Sequence, residues 1–334
     1  WVAGYKAARF VEGAAAADLC CGIGGDWLAL LARGPAEGVD RSAVAALFAA
    51  ANANTLSPRP AAPSVRAIDA GDFPLAEVDA WHVDPDRRPD GRRTTRIEDH
   101  QPDLAALDAW RRLSPNAAVK LAPACDPPPH WAAEAELEWI SRDGECRQLV
   151  AWFGSLARRP GRRCATVLLC SEKSLPPALA AGAAAPAVQP LHRTVVGTKS
   201  PPPATAAALG RYVYEPDAAV LAAGVDDALA AEHGLLRVDA RAAYLTGDRA
   251  IADPPLDGFE VDHALAFDFK RLKALLRQRS IGRLEIKKRG VADDPHDLRR
   301  CLELRGEASA VLLLTPSPRG VLAVLARRLA AGAR

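Results

Sequence analysis

The 334-residue chain contains no methionine, and its seven cysteines include no Cys-x-x-Cys spacing. A zinc knuckle and a disulfide framework are therefore disfavoured, and scattered histidines with no pair at helical ligand spacing predict no metal site. No apolar run reaches about 18 residues, so no transmembrane helix and no membrane partner is predicted. Thiols without a disulfide pattern are typical of a reducing compartment, and we expect a cytoplasmic protein.

The chain as a whole also lacks an excess of charge of one sign. Lysine and arginine total 43 and aspartate and glutamate total 41, which leaves a net charge of +2. This balance argues against a uniformly basic nucleic-acid binder, so a partner must be recognised locally. The length suits roughly two domains of about 150 residues each. Because the chain opens in the middle of a pattern at Trp1 and has no methionine, we expect it to be N-terminally incomplete.

The most informative segment is Ala17-Asp18-Leu19-Cys20-Cys21-Gly22-Ile23-Gly24-Gly25-Asp26, an apolar run followed by a glycine turn and a helix. Glycines let the backbone take positive φ and approach a ligand, while the helix start presents free N–H groups. The dinucleotide pattern Gly-x-Gly-x-x-Gly fails at Trp27, which disfavours a pyrophosphate ligand. Asp18 before the glycines and Asp40 after the next predicted strand instead suit an amino group and a ribose diol, which S-adenosylmethionine carries together.

Strands and helices alternate through the first part of the chain. Strands are predicted at 14–19, 37–40, 64–68, 78–83 and 117–121, and helices at 26–32, 42–54 and 104–113. This alternation predicts an α/β fold with a parallel, Rossmann-like sheet. Two more strands are expected at 136–140 and 165–170, whereas 146–156 is compatible with a strand paired across Asp143-Gly144 or with an amphipathic helix.

The second half divides by composition. We assign 1–170 to the first domain, 171–204 to an Ala- and Pro-rich linker, 205–259 to an acidic connecting region and 260–334 to a smaller, basic α+β domain. Residues 201–262 carry 4 basic and 11 acidic side chains, net −7, and residues 263–334 carry 16 basic and 7 acidic ones, net +9. The asymmetry favours a nucleic-acid partner for the last segment.

Basic side chains of that segment cluster on two predicted elements. A helix over 267–279 places Lys270, Lys273 and Arg277 on one stripe, and a strand over 284–288 follows it. The candidate RNA-binding residues are Lys270, Lys273, Arg277, Lys287, Lys288 and Arg289. The alternative is a solvated face that the acidic residues upstream neutralise.

Several motifs together resemble the class I S-adenosylmethionine-dependent methyltransferases with a C-terminal THUMP-like domain. Beyond residues 18–26 they are Val83-Asp84-Pro85-Asp86-Arg87-Arg88, Gly91-Arg92-Arg93, Val119-Lys120-Leu121-Ala122-Pro123, Glu138-Trp139-Ile140-Ser141, Tyr214-Glu215-Pro216-Asp217, Ala243-Tyr244-Leu245-Thr246 and Leu284-Glu285-Ile286-Lys287-Lys288-Arg289-Gly290. The resemblance spans nearly the whole chain, although Asp86 departs from the family's usual alanine. It implies a Rossmann-like methyltransferase sheet followed by a THUMP-like domain, S-adenosylmethionine as cofactor and, by analogy with THUMP domains, RNA as partner.

Cofactor-binding residues follow from the glycine segment and the strand ends. The candidates are Asp18, Cys20, Gly22, Gly24, Asp40, Arg41, Asp69 and Asp72. The residues of the glycine segment are expected at the methionine end, with Cys20 contributing backbone. Asp40 would accept hydrogen bonds from the ribose and Arg41 would cover the adenine, which either Asp69 or Asp72 would hold.

Chemistry is expected where the fourth strand ends, because ligands of open parallel sheets bind beyond the carboxyl ends of the strands near the topological switch point. The candidate catalytic residues are Asp84, Pro85, Arg87, Arg88 and Lys120. Asp84 can accept a hydrogen bond from an amino group or take its proton. The two arginines can stack on a base or clamp a phosphate, or else pair with neighbouring acids, and Lys120 either faces the same crevice or is solvated. Cys125 lacks the context of a nucleophile.

Three functions compete at this point. The favoured one is methylation of transfer or ribosomal RNA on a base nitrogen. A methyltransferase acting on a small molecule or protein is the first alternative, and a noncatalytic RNA-binding factor that retains the cofactor pocket is the second. The RNA class, the methylated atom and the oligomeric state are not determined by the sequence.

Overall fold

In the computed structural model the chain forms two units, residues 1–198 and 199–334. The structure describes residues 1–54, 64–88, 91–92, 94–169, 191–199, 201–292 and 295–329. Within those ranges, no helix combines the length and the apolarity that crossing a lipid bilayer requires. Each unit is built around one β-sheet.

The first unit alternates strands and helices as predicted. Its elements are α1 (Val2–Ala7), β1 (Ala16–Leu19), α2 (Gly25–Leu31), β2 (Ala36–Val39), α3 (Ala43–Ala53), β3 (Ser64–Arg66), β4 (Ala80–Val83), α4 (Leu104–Leu113), β5 (Ala117–Leu121), β6 (Glu136–Arg142), β7 (Glu145–Trp152), β8 (Arg163–Leu169) and β9 (Leu191–Gly197). Each strand and helix predicted between residues 14 and 121 is present, with ends shifted by at most two residues.

The nine-stranded sheet has the order β3-β2-β1-β4-β5-β7-β6-β8-β9. The five strands β3, β2, β1, β4 and β5 run parallel to one another. The next strand in the sheet, β7, is antiparallel to both of its neighbours, β5 and β6. The order reverses between β1 and β4, so a crevice opens beyond their carboxyl ends. All residues of β1 and β4 are buried, as expected for strands that are covered on both faces.

Two helices that flank this crevice begin at side-chain caps. The Ser42 Oγ accepts a hydrogen bond from Ala45 N at the start of α3, which confirms the predicted cap, and the Asp103 Oδ1 does the same for Ala106 N at the start of α4. These caps satisfy backbone N–H groups at the two helix starts that would otherwise lack partners.

At the end of this unit the structure decides one open prediction and contradicts another. The segment left open at 146–156 forms β7, which pairs with β6 across a turn in which both Asp143 (φ 55°) and Gly144 (φ 75°) have positive φ. The predicted linker over 171–204 is wrong for Leu191–Gly197, because this segment is β9 and pairs antiparallel with β8. The boundary therefore lies near 198 rather than 170, and residues 170–190 lie outside the described part.

Buried polar and charged side chains attach α1 and the residues that follow it to the far half of this sheet. The Arg9 guanidinium donates to both Glu136 carboxylate oxygens at 2.8 and 2.9 Å and to Glu138 Oε2 at 2.9 Å, while Tyr5 Oη donates to Glu138 Oε1 at 2.6 Å. Both glutamates are fully buried. Buried charges of this kind are tolerated because each is paired and hydrogen-bonded.

The second unit contains seven strands and four helices among its described residues. They are β10 (Tyr212–Pro216), α5 (Ala218–Ala223), α6 (Asp226–His233), β11 (Leu236–Asp239), β12 (Ala242–Gly247), β13 (Leu256–Ala266), α7 (Phe269–Gln278), β14 (Ile281–Lys288), α8 (Pro295–Leu302), β15 (Ala308–Ser317) and β16 (Gly320–Arg328). The strand order is β11-β12-β10-β13-β16-β15-β14, with β14 and β15 parallel and the other pairs antiparallel.

One sheet therefore unites segments that the sequence analysis separated. Residues 205–259 are not a connecting region, because β10, β11 and β12 pair within the same sheet as β13 to β16. Leucines of the two predicted basic elements and of α8, such as Leu272, Leu284 and Leu302, pack against Leu312 of β15. The acidic and basic segments thus fold as one α+β unit.

Candidate active site

A cavity of about 930 Å³ lies in the first unit at the predicted crevice. Five of the predicted site residues line it: Cys20, Asp40, Arg41, Asp69 and Asp84. They follow β1, β2, β3 and β4, so the parallel register of these strands gathers them at one edge of the sheet. Further lining comes from residues 98–103 and from Ala106 and Trp110 of α4.

The glycine loop has the conformation that its composition predicts. Gly22 (φ 56°) and Gly24 (φ 91°) both have positive φ, and so does Cys20 (φ 60°), which is uncommon for a residue with a Cβ. A Cβ at Gly24 would lie 3.2 Å from the Trp27 ring and 3.3 Å from the Ala49 Cβ. A glycine is therefore required here both for backbone conformation and for close packing.

Asp40 clamps this loop to α3. Its Oδ2 accepts a hydrogen bond from Gly22 N at 2.8 Å, and its Oδ1 accepts one from Ser42 N at 2.9 Å. Each carboxylate oxygen retains a second acceptor position. Asp40 can therefore hold the loop and still accept a hydrogen bond from a ligand in the cavity.

The next strand end separates the two acids that the sequence left as alternatives. Both are exposed, but Asp69 lines the cavity, where its Oδ1 accepts a hydrogen bond from Gly71 N at 2.8 Å, whereas Asp72 does not line the cavity. Arg41 is also in the lining, where its Nη1 donates to Gln101 Oε1 at 2.6 Å. These positions favour Asp69 for the predicted adenine contact.

Asp18 does not line the cavity but lies in a buried polar network behind it. Its Oδ1 is 2.6 Å from His82 Nδ1, and Lys6 Nζ is 3.0 Å from His82 Nε2 and 2.8 Å from Asp26 Oδ2. With His82 donating from Nδ1 and accepting at Nε2, the network contains two carboxylates and one ammonium group. Burial raises the pKa of Asp18. Burial acts in the same direction on Asp26, but Lys6 outweighs it and holds the pKa of Asp26 well below its usual range.

Sequence reasoning missed Lys6 and His82. A histidine in the otherwise apolar strand Ala80–Val83, one residue before the end of β4, was the available signal for His82. Lys6 had no such signal, because its contact with His82 joins residues 76 positions apart.

Asp84 and Lys120 form an ion pair at the carboxyl ends of β4 and β5. Their side chains are 35% and 24% exposed, so water and a ligand can reach both. The pair uses Asp84 Oδ2, and Asp84 Oδ1 is available to accept a further hydrogen bond. The sequence left Lys120 either facing the crevice or solvated, and the structure places it beside Asp84.

The remaining residues of the Asp-Pro-Asp-Arg-Arg motif lie around Asp84 without lining the cavity, except Asp86. Pro85 is buried, Arg87 is half-buried and Arg88 is exposed. Asp86 accepts a hydrogen bond from Arg88 N at 2.9 Å, and its backbone pairs with Gln101 in both directions. This bridge fixes the wall formed by residues 98–103. Asp90 and Arg93 lie outside the described residues.

The cysteines near the cavity are poor nucleophiles. Burial raises the pKa of Cys20 to about 12 and that of Cys125 to about 11. Because the thiolate is the reactive form, neither side chain is activated at neutral pH.

The predicted RNA-binding residues are largely paired with acids. Lys287 Nζ is 2.6 Å from Glu215 Oε2, and Arg289 Nη2 is 2.9 Å from Glu215 Oε1. Glu303 pairs in the same way with Lys273 at 3.1 Å and with Arg277 at 3.5 Å. Lys288 donates to the Ala292 carbonyl, and Lys270 is exposed with no partner among the described residues. Four of the six candidates are therefore paired, but they share two carboxylates, so only part of the positive charge on these two elements is compensated.

One group of three side chains within the described ranges has a spacing that could hold a metal ion. Glu232, His233 and Asp253 bring one ligand atom each to within 4.8 Å of the others. His233 Nε2 is 2.8 Å from Asp253 Oδ2, so these two side chains are already hydrogen-bonded to each other.

Comparison with known proteins agrees with both units. Residues 256–328 match the THUMP domain-like family. Over 236 residues the chain is 36% identical to an uncharacterised S-adenosylmethionine-dependent methyltransferase of Mycobacterium tuberculosis strain CDC 1551, and to one of the same description in strain H37Rv. The match covers 70% of this chain and 59% of each relative, so the chain spans about three-fifths of these curated relatives.

The chain is a homologue of the S-adenosylmethionine-dependent methyltransferases. A crystal structure of a proposed methyltransferase from Porphyromonas gingivalis W83 shares its fold, with a TM-score of 0.76 and 22% identity over 98% of this chain and 80% of that one. The predicted family, the methyltransferase fold followed by a THUMP-like domain, and the predicted cofactor S-adenosylmethionine are thereby confirmed.

Two structural observations indicate that the residues of this methyltransferase homologue fit the cofactor. Asp18 Oδ2 is buried and lacks a hydrogen-bond partner among the described residues, so it can accept a hydrogen bond from a further donor. A Cβ at Gly22 would meet no atom within 4 Å, so open space adjoins the glycine loop at that position. Asp40 and Asp69 supply further acceptors on the cavity wall.

Proposed function

We propose that this protein is an S-adenosylmethionine-dependent methyltransferase that acts on a base nitrogen of RNA. The observation that carries the catalytic part is the Asp84–Lys120 ion pair, because its carboxylate, Asp84, lines the same cavity as the proposed cofactor acceptors Asp40 and Asp69. At the switch point of a methyltransferase sheet, a carboxylate can accept a hydrogen bond from the substrate nitrogen. The neighbouring ammonium group holds that carboxylate in position.

S-adenosylmethionine supplies an electrophilic methyl group when it is bound. Asp84 Oδ1 accepts a hydrogen bond from the amino group of the acceptor base and orients the nitrogen lone pair for attack. Asp40 and Asp69 would hold the cofactor, which would supply the methyl group while its sulfur keeps the electron pair of the broken bond. The methylated nitrogen would lose its proton to the Asp84 carboxylate or to water. Lys120 holds the carboxylate in place.

RNA as the substrate is supported by the second unit. Its THUMP-like match and the resemblance described above favour RNA over other acceptors. Arg87 and Arg88, close in sequence to Asp84, are available to contact a base or a phosphate. The proposed cellular location is the cytoplasm, where transfer and ribosomal RNA are found.

A second candidate is a methyltransferase that acts on an amine of a small molecule or protein. The cavity lining favours it, because the lining contains seven carboxylates and one guanidinium group, that of Arg41, while Lys120 and Arg96 pair with only three of the seven. The seven are Asp40, Asp69, Asp84, Asp86, Glu98, Asp99 and Asp103. Such a wall repels a phosphate and attracts a cationic amine, so an RNA substrate must enter by its base with the backbone outside.

Mass spectrometry of modified nucleosides separates these functions. RNA from cells with and without the gene is digested, and we expect one methylated nucleoside to disappear when the gene is absent. Purified protein and radiolabelled S-adenosylmethionine should then restore that nucleoside in RNA from the deleted strain. Methyl transfer to an amine in the absence of RNA would support the second candidate. RNA binding without transfer to cellular RNA would indicate a noncatalytic factor.

A further inference from the structure

A groove of about 730 Å³ at the edge strand β14 of the second unit carries arginines that the sequence analysis did not select. The groove is formed by β14, β15, β16 and α8. The ionisable side chains in its lining are Arg283, Glu285, Arg299, Arg327 and Arg328. Four arginines thus share the groove with one carboxylate.

Two of these arginines are neutralised. The Arg328 Nη2 lies 2.9 Å from both oxygens of Glu285, and the Arg327 Nε lies 3.0 Å from Asp262 Oδ1. Both therefore resemble the paired lysines and arginines of the elements predicted to bind RNA, and neither supplies a free positive charge.

Arg283 and Arg299 differ because their partners are neutral. Arg283 donates from Nε to Ser309 Oγ at 2.8 Å and from Nη2 to the Glu307 carbonyl at 2.9 Å. Arg299 donates from Nη2 to the Leu284 carbonyl at 2.7 Å. Within the described ranges, no carboxylate lies within 4.0 Å of either guanidinium group. Neutral acceptors orient each guanidinium without cancelling its charge.

The remaining N–H groups are free to bind an anion. A guanidinium has five N–H donors, so Arg283 retains three and Arg299 retains four beyond the bonds described. Both side chains are exposed. A planar, fixed donor set of this kind matches the oxygens of a phosphate, and the partly buried Leu304 in the same lining offers apolar surface to a ribose or base.

We propose that this groove binds the RNA backbone, with Arg283 and Arg299 contacting phosphodiester groups. The inference rests on the proposed RNA substrate and moves the main contact surface from the paired cations of α7 and β14 to this groove. RNA is favoured over an acidic peptide because the two uncompensated charges are guanidinium groups beside apolar surface, which suits alternating phosphate and base.

The test is filter binding of the full chain to RNA at several salt concentrations. The probes are total RNA from cells lacking the gene and a polyuridylate strand, with polyglutamate as competitor. The test variant replaces both residues, Arg283→Gln and Arg299→Gln. The matched control removes two exposed arginines outside the groove lining, Arg271→Gln and Arg279→Gln.

We expect the groove variant to lose about tenfold or more in RNA affinity per arginine. The slope of log affinity against log salt should flatten by about 1.4, since each phosphate contact on a single strand contributes about 0.7. The control should retain the wild-type slope within about half a unit. Affinity for S-adenosylmethionine, measured by calorimetry, should be the same in all three proteins.

Two results would overturn the groove assignment while leaving the RNA substrate intact. One is a folded groove variant with wild-type affinity and slope, and the other is an equal loss in the control or an equal displacement by polyglutamate. If the wild-type chain binds no RNA, the RNA substrate and the groove assignment both fail. Should the glutamine variant not fold, Arg283→Lys with Arg299→Lys keeps the charges but not the paired donors, and we expect weaker binding with an unchanged salt slope.

Discussion

Replacing Asp84 by asparagine tests the proposed chemistry directly. The substitution keeps the shape of the side chain and removes its negative charge, so the acceptor for the substrate amino group is weakened. A charge-assisted hydrogen bond is worth about 1.5 to 3 kcal/mol, which corresponds to about a 10- to 150-fold loss in the rate of methyl transfer if the bond acts mainly in the transition state. Lys120 loses its partner, but its side chain is 24% exposed, so we expect a stability loss of about 1 kcal/mol or less.

The assay is single-turnover methyl transfer from radiolabelled S-adenosylmethionine to RNA from cells lacking the gene. Calorimetry with S-adenosylhomocysteine reports cofactor binding, which should change by less than about threefold. Asp72→Asn is the matched control, because Asp72 is exposed and does not line the cavity. Equal single-turnover rates for wild type and folded Asp84→Asn would show that Asp84 is structural and would refute the proposed mechanism.

Three further predictions concern the cofactor loop and the cavity wall. Asp40→Ala should weaken S-adenosylmethionine binding by about 10- to 150-fold in calorimetry, and unchanged affinity would remove Asp40 from the site. Gly24→Val should lower the stability by at least about 1 kcal/mol in thermal unfolding, whereas Gly25→Ala, with no atom within 4 Å of its added Cβ, should not. Burial lowers the pKa of His100 below its unfolded value of about 6.5, so His100 weakens folding as the pH falls below that value. His100→Phe should therefore flatten the loss of stability between about pH 7 and pH 5 in urea titrations, and parallel curves would contradict this.

Local patterns were sufficient for the elements around the active site. Buried parallel strands have continuous apolar sequences, glycines mark the turn after β1, and Ser42 caps α3 through contacts only three residues apart. Because these signals depend on neighbouring residues, the strand ends that carry Asp40, Asp69 and Asp84 could be located from the sequence. Parallel order then predicts that they meet at one edge.

Composition predicted the wrong structure where a strand pairs with a segment that is distant in the sequence. Leu191–Gly197 follows an Ala- and Pro-rich stretch that is typical of a linker, yet it is a strand because β8 offers a partner edge. The acidic segment before 260 was separated from the basic one for a similar reason, since its strands find their partners only after the chain returns through β13 and β16.

What the sequence by itself determined is the fold class of the first unit, the glycine loop and the set of strand-end acids, since each depends on local periodicity and backbone conformation. Tertiary structure alone decided which charges remain free. Net charge is a sum over a segment, whereas an ion pair depends on distance, and Glu215 reaches Lys287 across 72 residues while Lys6 reaches His82 across 76. Arg283 and Arg299 keep their charge because the fold presents them with a hydroxyl and carbonyl oxygens instead of carboxylates.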